Sequence, residues 1–325
     1  MLPFRIERPR TVNEAINAAA AGGRYIVGGT TLYDLMREEV ERPERLVDIN
    51  GLPLYGVSVD NGAVVIGALT KMSDVAANPD ILHMHPIVSE TLVEGASPQL
   101  RNMASIGGNL LQRVRCPYFR MLDAACNKRA PGTGCSAIDG MNGGTAIFGT
   151  SSSCIATHPS DLAVTLVALD ATMKVRGPKG ERIFPVSQLY RMPGTTPHLE
   201  HTLMPGELII EVRIPAYQGR RTGRYLKVRD RSSYEFAVVS SAAILELNGG
   251  TITQACVAVG GVGTVPWRMP KVEAALTGKP ASREVFEQAA AVSLEGHKAL
   301  PGNHHKADLL PRTIVRSLEL ARDAA

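Results

Sequence analysis

Cys116, Cys126, Cys135 and Cys154 stand in one stretch rich in Gly, Ser, Thr and Asn, and they are four of the chain's five cysteines. Thiols gathered in so polar a segment point to ligation or cross-linking rather than to packing. Nine, eight and eighteen residues separate successive members. No C-x2-C pair occurs, so neither a zinc ribbon nor a bacterial ferredoxin run is present. A four-cysteine iron–sulfur cluster, a structural zinc and two disulfides all remain open on spacing alone. A reducing compartment disfavours the disulfides, and an oxidising one restores them. Cys256, within Ala255-Cys256-Val257-Ala258-Val259, reads instead as a buried core residue.

Two glycine turns flank the cysteines on the upstream side. Gly28-Gly29-Thr30-Thr31 lies between a short strand reading and a helix reading. Paired glycines there let backbone N–H groups approach an anion, and the helix start adds positive potential, which suits a pyrophosphate. Ser105-Ile106-Gly107-Gly108-Asn109 supplies a second such turn, with Arg101-Asn102 just upstream. Neither is the G-x-G-x-x-G of a dinucleotide fold, and two plain tight turns would look the same.

The elements that must position these residues are legible in outline. Thr11-Val12-Asn13-Glu14 is a capping-box pattern opening an Ala-rich helix to about residue 21. Residues 25–27 and 46–49 read as short strands, with Thr30-Thr31 able to cap a helix over about 32–39. A second unit starts near Leu54, with a strand at 63–67, Thr70 as a helix cap and a helix over about 86–94. The cysteine loop, about 112–156, is too long for an ordinary connector. Pro159 suits the first turn of a helix running through 162–169. Strand readings follow at 172–176, 183–186 and 208–214. The best boundary lies at 215–223, and beyond it come strands at about 224–229, 236–247 and 255–260, then two or three helices.

The 325 residues suffice for two domains with their own cores. An apolar fraction of 44% and a charged fraction of 20% are ordinary for a globular chain. The net charge of +4 is spread out, and short basic spots such as Arg220–Arg221 do not make a nucleic-acid surface. No apolar run approaches the ~18 residues of a membrane span. The N-terminus lacks the layout of a secretory signal, so the expected compartment is the cytoplasm, or the periplasm if the chain is exported folded on a signal-bearing partner. No Ser–His–Asp grouping, H-E-x-x-H or paired catalytic carboxylates can be assembled, so no catalytic residue is assigned and the expected role is electron transfer.

The segment Tyr25-Ile26-Val27-Gly28-Gly29-Thr30-Thr31-Leu32 resembles the pyrophosphate loop of the flavin-binding subunits in the xanthine dehydrogenase and aldehyde oxidoreductase family. Gly95-Ala96-Ser97 through Arg101-Asn102 to Ser105-Ile106-Gly107-Gly108-Asn109 is similar to that family's second FAD segment, with Ser105 in place of the usual Thr. Pro159-Ser160-Asp161 with Leu169-Asp170-Ala171, and Tyr225-Leu226-Lys227-Val228-Arg229, resemble a third and a fourth. The resemblance implies an α+β fold: a two-part FAD-binding domain of the vanillyl-alcohol-oxidase (PCMH) type over residues 1–218, and a small C-terminal α+β domain over 219–325. The first would divide into about 1–53 and 54–218 and carry the cysteine insertion. By carry-over, Ile26 to Leu32 and Ser105, Gly107, Gly108 and Asn109 would hold the FAD diphosphate. Asp161 would face the adenosine or ribityl portion, Leu208 would contact FAD, and Lys227 would lie near the isoalloxazine unless it is a solvated strand lysine.

A subset of the family carries a cysteine insertion. There, Arg115-Cys116-Pro117-Tyr118-Phe119, Cys126-Asn127-Lys128-Arg129, Pro131-Gly132-Thr133-Gly134-Cys135 and Cys154 to Asp161 resemble the flavin subunits of periplasmic aldehyde oxidoreductases. This implies one [4Fe-4S] cluster on Cys116, Cys126, Cys135 and Cys154, with Lys128 and Arg129 offsetting its negative charge. His158 then reads as a helix-start or near-flavin residue rather than a fifth ligand. The partners implied are a large subunit with molybdenum cofactor, where an aldehyde becomes a carboxylic acid, and a small subunit with two [2Fe-2S] clusters, in a heterotrimer. Electrons would leave the FAD for an external acceptor other than NAD. A 4-hydroxybenzoyl-CoA-reductase-like flavin subunit is the nearest alternative; a stand-alone flavin oxidase or a metal-stapled scaffold are alternatives of another class.

Overall fold

The computed structural model describes residues 1–217, 219 and 221–325. Gln218 and Arg220 lie outside the described residues, and with them the last residue of the expected first domain and half of the Arg220–Arg221 pair. Twelve strands form three sheets among the described residues. In the N-terminal sheet, β1 (Arg5–Glu7), β2 (Arg24–Ile26) and β3 (Arg45–Asp48) run parallel in the order β1-β3-β2, with Tyr25 opposite Val47. The helix Val12–Ala20 packs on it. Thr11 caps that helix by accepting the Glu14 N–H, while the Glu14 carboxylate reaches back to the Arg10 N–H, one residue before the cap.

The central sheet is antiparallel: β4 (Val57–Asp60), β5 (Ala63–Gly67), β6 (Thr172–Gly177), β7 (Gly180–Pro185) and β8 (Leu208–Ile214), in the order β4-β5-β8-β6-β7. The C-terminal sheet, also antiparallel, holds β9 (Arg221–Val228), β10 (Val239–Asn248), β11 (Thr251–Gly260) and β12 (Trp267–Arg268), in the order β12-β11-β10-β9. Strand β10 is buried on both faces over most of its length, which explains its unbroken run of small and apolar residues. One face packs with Ala242, Ile244, Cys256 and Ala258 into the core that holds the helices Pro86–Glu94 and Asp161–Ala168. The other packs against the helices Pro270–Leu276, Arg283–Ala291 and His305–Arg322. Cys256 is a core residue, 3% exposed.

Several start positions differ from the sequence reading. Pro159 precedes the cap of its helix, and Ser160 caps it by accepting the Ala163 N–H. The Thr70 hydroxyl exchanges hydrogen bonds with the backbone of Gly56 instead of capping, and the helix Met72–Ala76 starts after Lys71 without a side-chain cap. Thr31 precedes the helix Leu32–Arg37 but makes no cap bond, because its hydroxyl accepts from Arg115. The cysteine loop contains only two one-turn helices, Pro117–Arg120 and Ser136–Asp139. Among the described residues no helix is long and apolar enough to cross a membrane.

Thr91 and Thr165, both fully buried, join the two helices behind the site through hydroxyls 2.6 Å apart, and Thr91 donates to the Ile87 carbonyl. Thr165 must therefore be the donor to Thr91. Replacing Thr91 with Val orphans that donor and should cost about 1–3 kcal/mol, whereas Thr165→Val leaves Thr91 satisfied and should cost under about 1 kcal/mol. Urea denaturation of the two single variants and the double variant checks this, with the double variant expected to be more stable than Thr91→Val alone.

Candidate cofactor sites

A cavity of about 950 Å³ opens between the N-terminal sheet, the helix Ile106–Leu110, the Leu199–Ile209 segment and the end of β9. Its wall includes every residue from Ile26 to Leu32, together with Ser105, Gly107, Gly108, Asn109, Asp161, Leu208 and Lys227. The two glycine turns thus meet on one cavity. The first turn also packs on the backbone just upstream of the second, where a side chain on Gly28 would collide with the Met103 carbonyl. Gly29 adopts φ +68°, a conformation that glycine takes at no steric cost.

The turns offer different chemistry. No acceptor is found among the described residues for the N–H groups of Gly28, Gly29, Thr30, Thr31 or Leu32. Five consecutive free donors around a cavity form an anion cradle, since backbone N–H groups left unpaired inside a fold are costly. In the second turn the amides are engaged internally. Ile106 donates to the Thr70 carbonyl, Gly107 to Ala68, Gly108 to the Ser105 hydroxyl and Asn109 to the Ser105 carbonyl. What that turn presents is the Ser105 hydroxyl and a wall without side chains, where a Cβ on Gly107 would stand 3.2 Å from the Ala68 oxygen. The Asn109 side chain accepts from Ser160 at 2.7 Å, docking this turn on the start of the next helix.

Asp161 and Lys227 come together as an ion pair, Oδ2 to Nζ 2.8 Å, with the lysine side chain 1% exposed. Lys227 also donates to the Glu94 carbonyl, and Tyr225 donates its hydroxyl to Asp161 Oδ1 at 2.5 Å. Lys227 is therefore no solvated strand lysine, and both Asp161 oxygens already accept from protein. Burial pushes the Asp161 carboxyl up, and Lys227, followed by Tyr225 and Arg229, pulls part of that back.

The four cysteines line a second, small cavity with Phe119, Lys128 and Ala156. All four are free thiols; Cys126 and Cys135 pair as an isolated antiparallel bridge. Backbone N–H groups of Phe119 and Tyr118 face the Cys116 sulfur, and that of Ala156 faces Cys154. Among the described residues no three His, Cys, Asp or Glu side chains stand close enough to hold a single metal ion. The polar residues expected to offset cluster charge differ in role. Lys128 lines the cavity but pairs with Glu200 at 3.0 Å and donates to the Pro197 carbonyl. Arg129 points away, onto the carbonyls of Tyr118, Phe119, Leu122 and Ala124, and so staples the loop between the first two cysteines. His158 is not in that cavity. Its ring accepts the Ser160 N–H at Nδ1, lies edge-on to Tyr190, and is pushed down to about 3 by burial, so it is a neutral helix-start residue.

Two features escaped the sequence reading. Glu200 accepts from Arg113 at 2.5 Å as well as from Lys128, and Arg113 also pairs with Glu41, linking the flavin-side cavity to the cysteine loop. Burial opposes the Arg113 charge, but Glu200 and Glu41 more than offset it. Arg115 lines the large cavity and is peptide-bonded to Cys116. Burial, then Arg120, pulls it down to about 10, which leaves it cationic at neutral pH. The only local signal was two arginines alternating with Val114 just before a cysteine.

A dinucleotide-sized cavity, an anion cradle at one turn and a close-approach wall at the other define a cofactor-binding fold. The profile described as "FAD binding domain in molybdopterin dehydrogenase" matches residues 2–217, and that of the "CO dehydrogenase flavoprotein C-terminal domain" matches residues 224–306. The chain belongs to the family of FAD-binding subunits of molybdopterin dehydrogenases. It is 46% identical over 281 residues to the aldehyde oxidoreductase FAD-binding subunit PaoB of Escherichia coli, covering 85% of this chain and 87% of that one. It is 27% identical to the alpha subunit of the 6-hydroxypseudooxynicotine dehydrogenase complex of Paenarthrobacter nicotinovorans, over 96% of this chain and 93% of that one. A crystal structure of a cyanide-inactivated Cu,Mo-CO dehydrogenase superposes over 100% of both chains with a TM-score of 0.79 at 23% identity, which shows the shared fold.

The Asp161–Lys227 pair gives a pH-dependent expectation. The folded pKa of Asp161 lies above its unfolded value of about 4. This carboxyl therefore lowers stability as pH rises from that value through the raised folded one. Lys227→Met removes the chief offset and widens the window upward. The variant should lose about 3–5 kcal/mol near neutral pH and less at about pH 5, with Asp161→Asn in the same chain restoring most of the loss. A loss that urea titration finds independent of pH would assign the effect to packing instead.

Proposed function

We propose that this chain is the electron-transfer subunit of a molybdenum hydroxylase that oxidises aldehydes to carboxylic acids. FAD fits the large cavity on two observations: five free N–H donors for a diphosphate, and a volume suited to a dinucleotide. Gly28 to Leu32 and the Ser105 hydroxyl would hold the diphosphate, Lys227 would set a positive charge near the ring system, and Asp161 would fix Lys227. Bound there, FAD supplies a carrier that takes electrons singly and releases them singly or in pairs. Residues 1–218 and 219–325 would be the two domains, a division supported by family profiles that stop at residue 217 and resume at 224.

The aldehyde-oxidising reading is supported by the cysteine cavity together with the 46% identity to an aldehyde oxidoreductase subunit. All four thiols converge on that cavity, which supports one [4Fe-4S] cluster held by Cys116, Cys126, Cys135 and Cys154. N–H groups facing Cys116 and Cys154 would favour the reduced cluster. The relative at 46% identity is an aldehyde oxidoreductase subunit. The partners would be a molybdenum-cofactor subunit and a [2Fe-2S] subunit in a heterotrimer, with electrons leaving to an acceptor other than NAD. The compartment would follow the partner that carries the export signal, if one does.

Anaerobic purification of the native complex tests this. The chain should carry one FAD and about four irons, and its flavin absorbance should bleach when the complex meets an aldehyde. The same chain purified alone should not respond to aldehyde. Stoichiometric zinc in place of iron would overturn the cluster, aldehyde-dependent bleaching of the isolated chain would overturn the subunit role, and efficient NAD reduction by the complex would overturn the acceptor.

A further inference from the structure

We propose that Arg115 is an anion clamp that closes the FAD diphosphate into the cradle of Gly28 to Leu32. The inference rests on FAD occupying the large cavity. Every other arginine or lysine in that wall meets a carboxylate: Arg24 meets Glu41, Arg113 meets Glu41 and Glu200, Lys227 meets Asp161, and Arg231 meets Glu235. Among the described residues Arg115 meets none. Its Nη2 donates to Thr31 Oγ1 at 3.2 Å and to Gln112 Oε1 at 3.4 Å, and its Nε is buried without any partner. The Phe236 ring lies 4.9 Å from the guanidinium carbon and covers one face of the group.

A buried cation with an unsatisfied N–H is expensive unless something anionic arrives. Thr31, which Arg115 touches, carries the fourth of the five free N–H groups, so the guanidinium and the cradle converge on the same place. Guanidinium N–H groups match phosphate oxygens in planar, paired geometry, which backbone dipoles alone do not provide. Because Arg115 precedes Cys116, the clamp also anchors the cysteine loop at the flavin.

The test uses the full chain stripped of flavin, with FAD, ADP and riboflavin as probes. Arg115→Gln should weaken FAD and ADP by about tenfold to a hundredfold and leave riboflavin, which has no diphosphate, unchanged. Arg115→Lys, retaining the charge without the fork, should fall between. The flavin-free variant should melt no lower than the flavin-free wild type, since an uncompensated buried cation has been removed. Equal weakening of FAD and riboflavin would move Arg115 to the ring and overturn the clamp. Unchanged FAD affinity, or loss of affinity only together with lowered flavin-free stability, would overturn it too. A wild-type chain that takes up no FAD would sink the flavin assignment and the clamp with it.

Discussion

Glu200 holds together two parts of the molecule that share no secondary structure. One oxygen accepts from Lys128 in the cysteine loop and the other from Arg113 in the wall of the flavin cavity. Burial opposes its ionisation, but the two cations pull the carboxyl below its usual range, so Glu200 stays charged. Arg113 stacks on Phe119, which lines the cysteine cavity, at 4.6 Å. A buried pair broken on one side costs several kcal/mol, because the survivor is left unpaired. The cysteine loop is therefore held by charge as well as by packing, since Val114 and Phe119 join Leu35 in one buried cluster and Ile147 and Phe148 join the C-terminal core.

The glycine turns show how similar sequences come to do different work. Gly28-Gly29 leaves its strand at an edge of the cavity, with no neighbouring strand or carbonyl placed to accept its amides. Gly107-Gly108 lies against Ala68 and Thr70, whose carbonyls face it and take the donors. One turn offers open backbone N–H groups to charge, and the other offers the Ser105 hydroxyl and room beside it. Glycine pairs in sequence report that the backbone is approached closely, not by what.

That limit explains what the sequence disclosed and what it did not. The local features were legible: the Thr11 cap, the helix Pro86–Glu94, the strand Leu208–Ile214 and the buried Cys256 stand where propensity and pattern put them. The residues around the cavity were legible through resemblance, because short motifs in a fixed order specify a fold better than any motif alone. What stayed hidden depends on partners distant in the chain. Arg129 looked like a countercharge but meets carbonyls, Thr31 looked like a cap but meets Arg115, and nothing near Glu200 announces Arg113, 87 residues away. Short strands such as Val57–Asp60, mostly exposed at a sheet edge, also lack the apolar signal that marks a strand.

The open donors of the cradle bear on stability as well as binding. Five amide groups and the Arg115 Nε–H have no acceptor among the described residues, and each would gain on meeting an anion. Ligand that binds only the folded chain adds RT ln(1 + [L]/Kd) to stability, about 4 kcal/mol at a thousandfold excess over Kd. The cradle lines one cavity with the helix Ile106–Leu110, and Arg115 ties it to the start of the cysteine loop through Thr31, so this gain acts where these segments meet. The cofactor is on this account part of the fold's own hydrogen bonding.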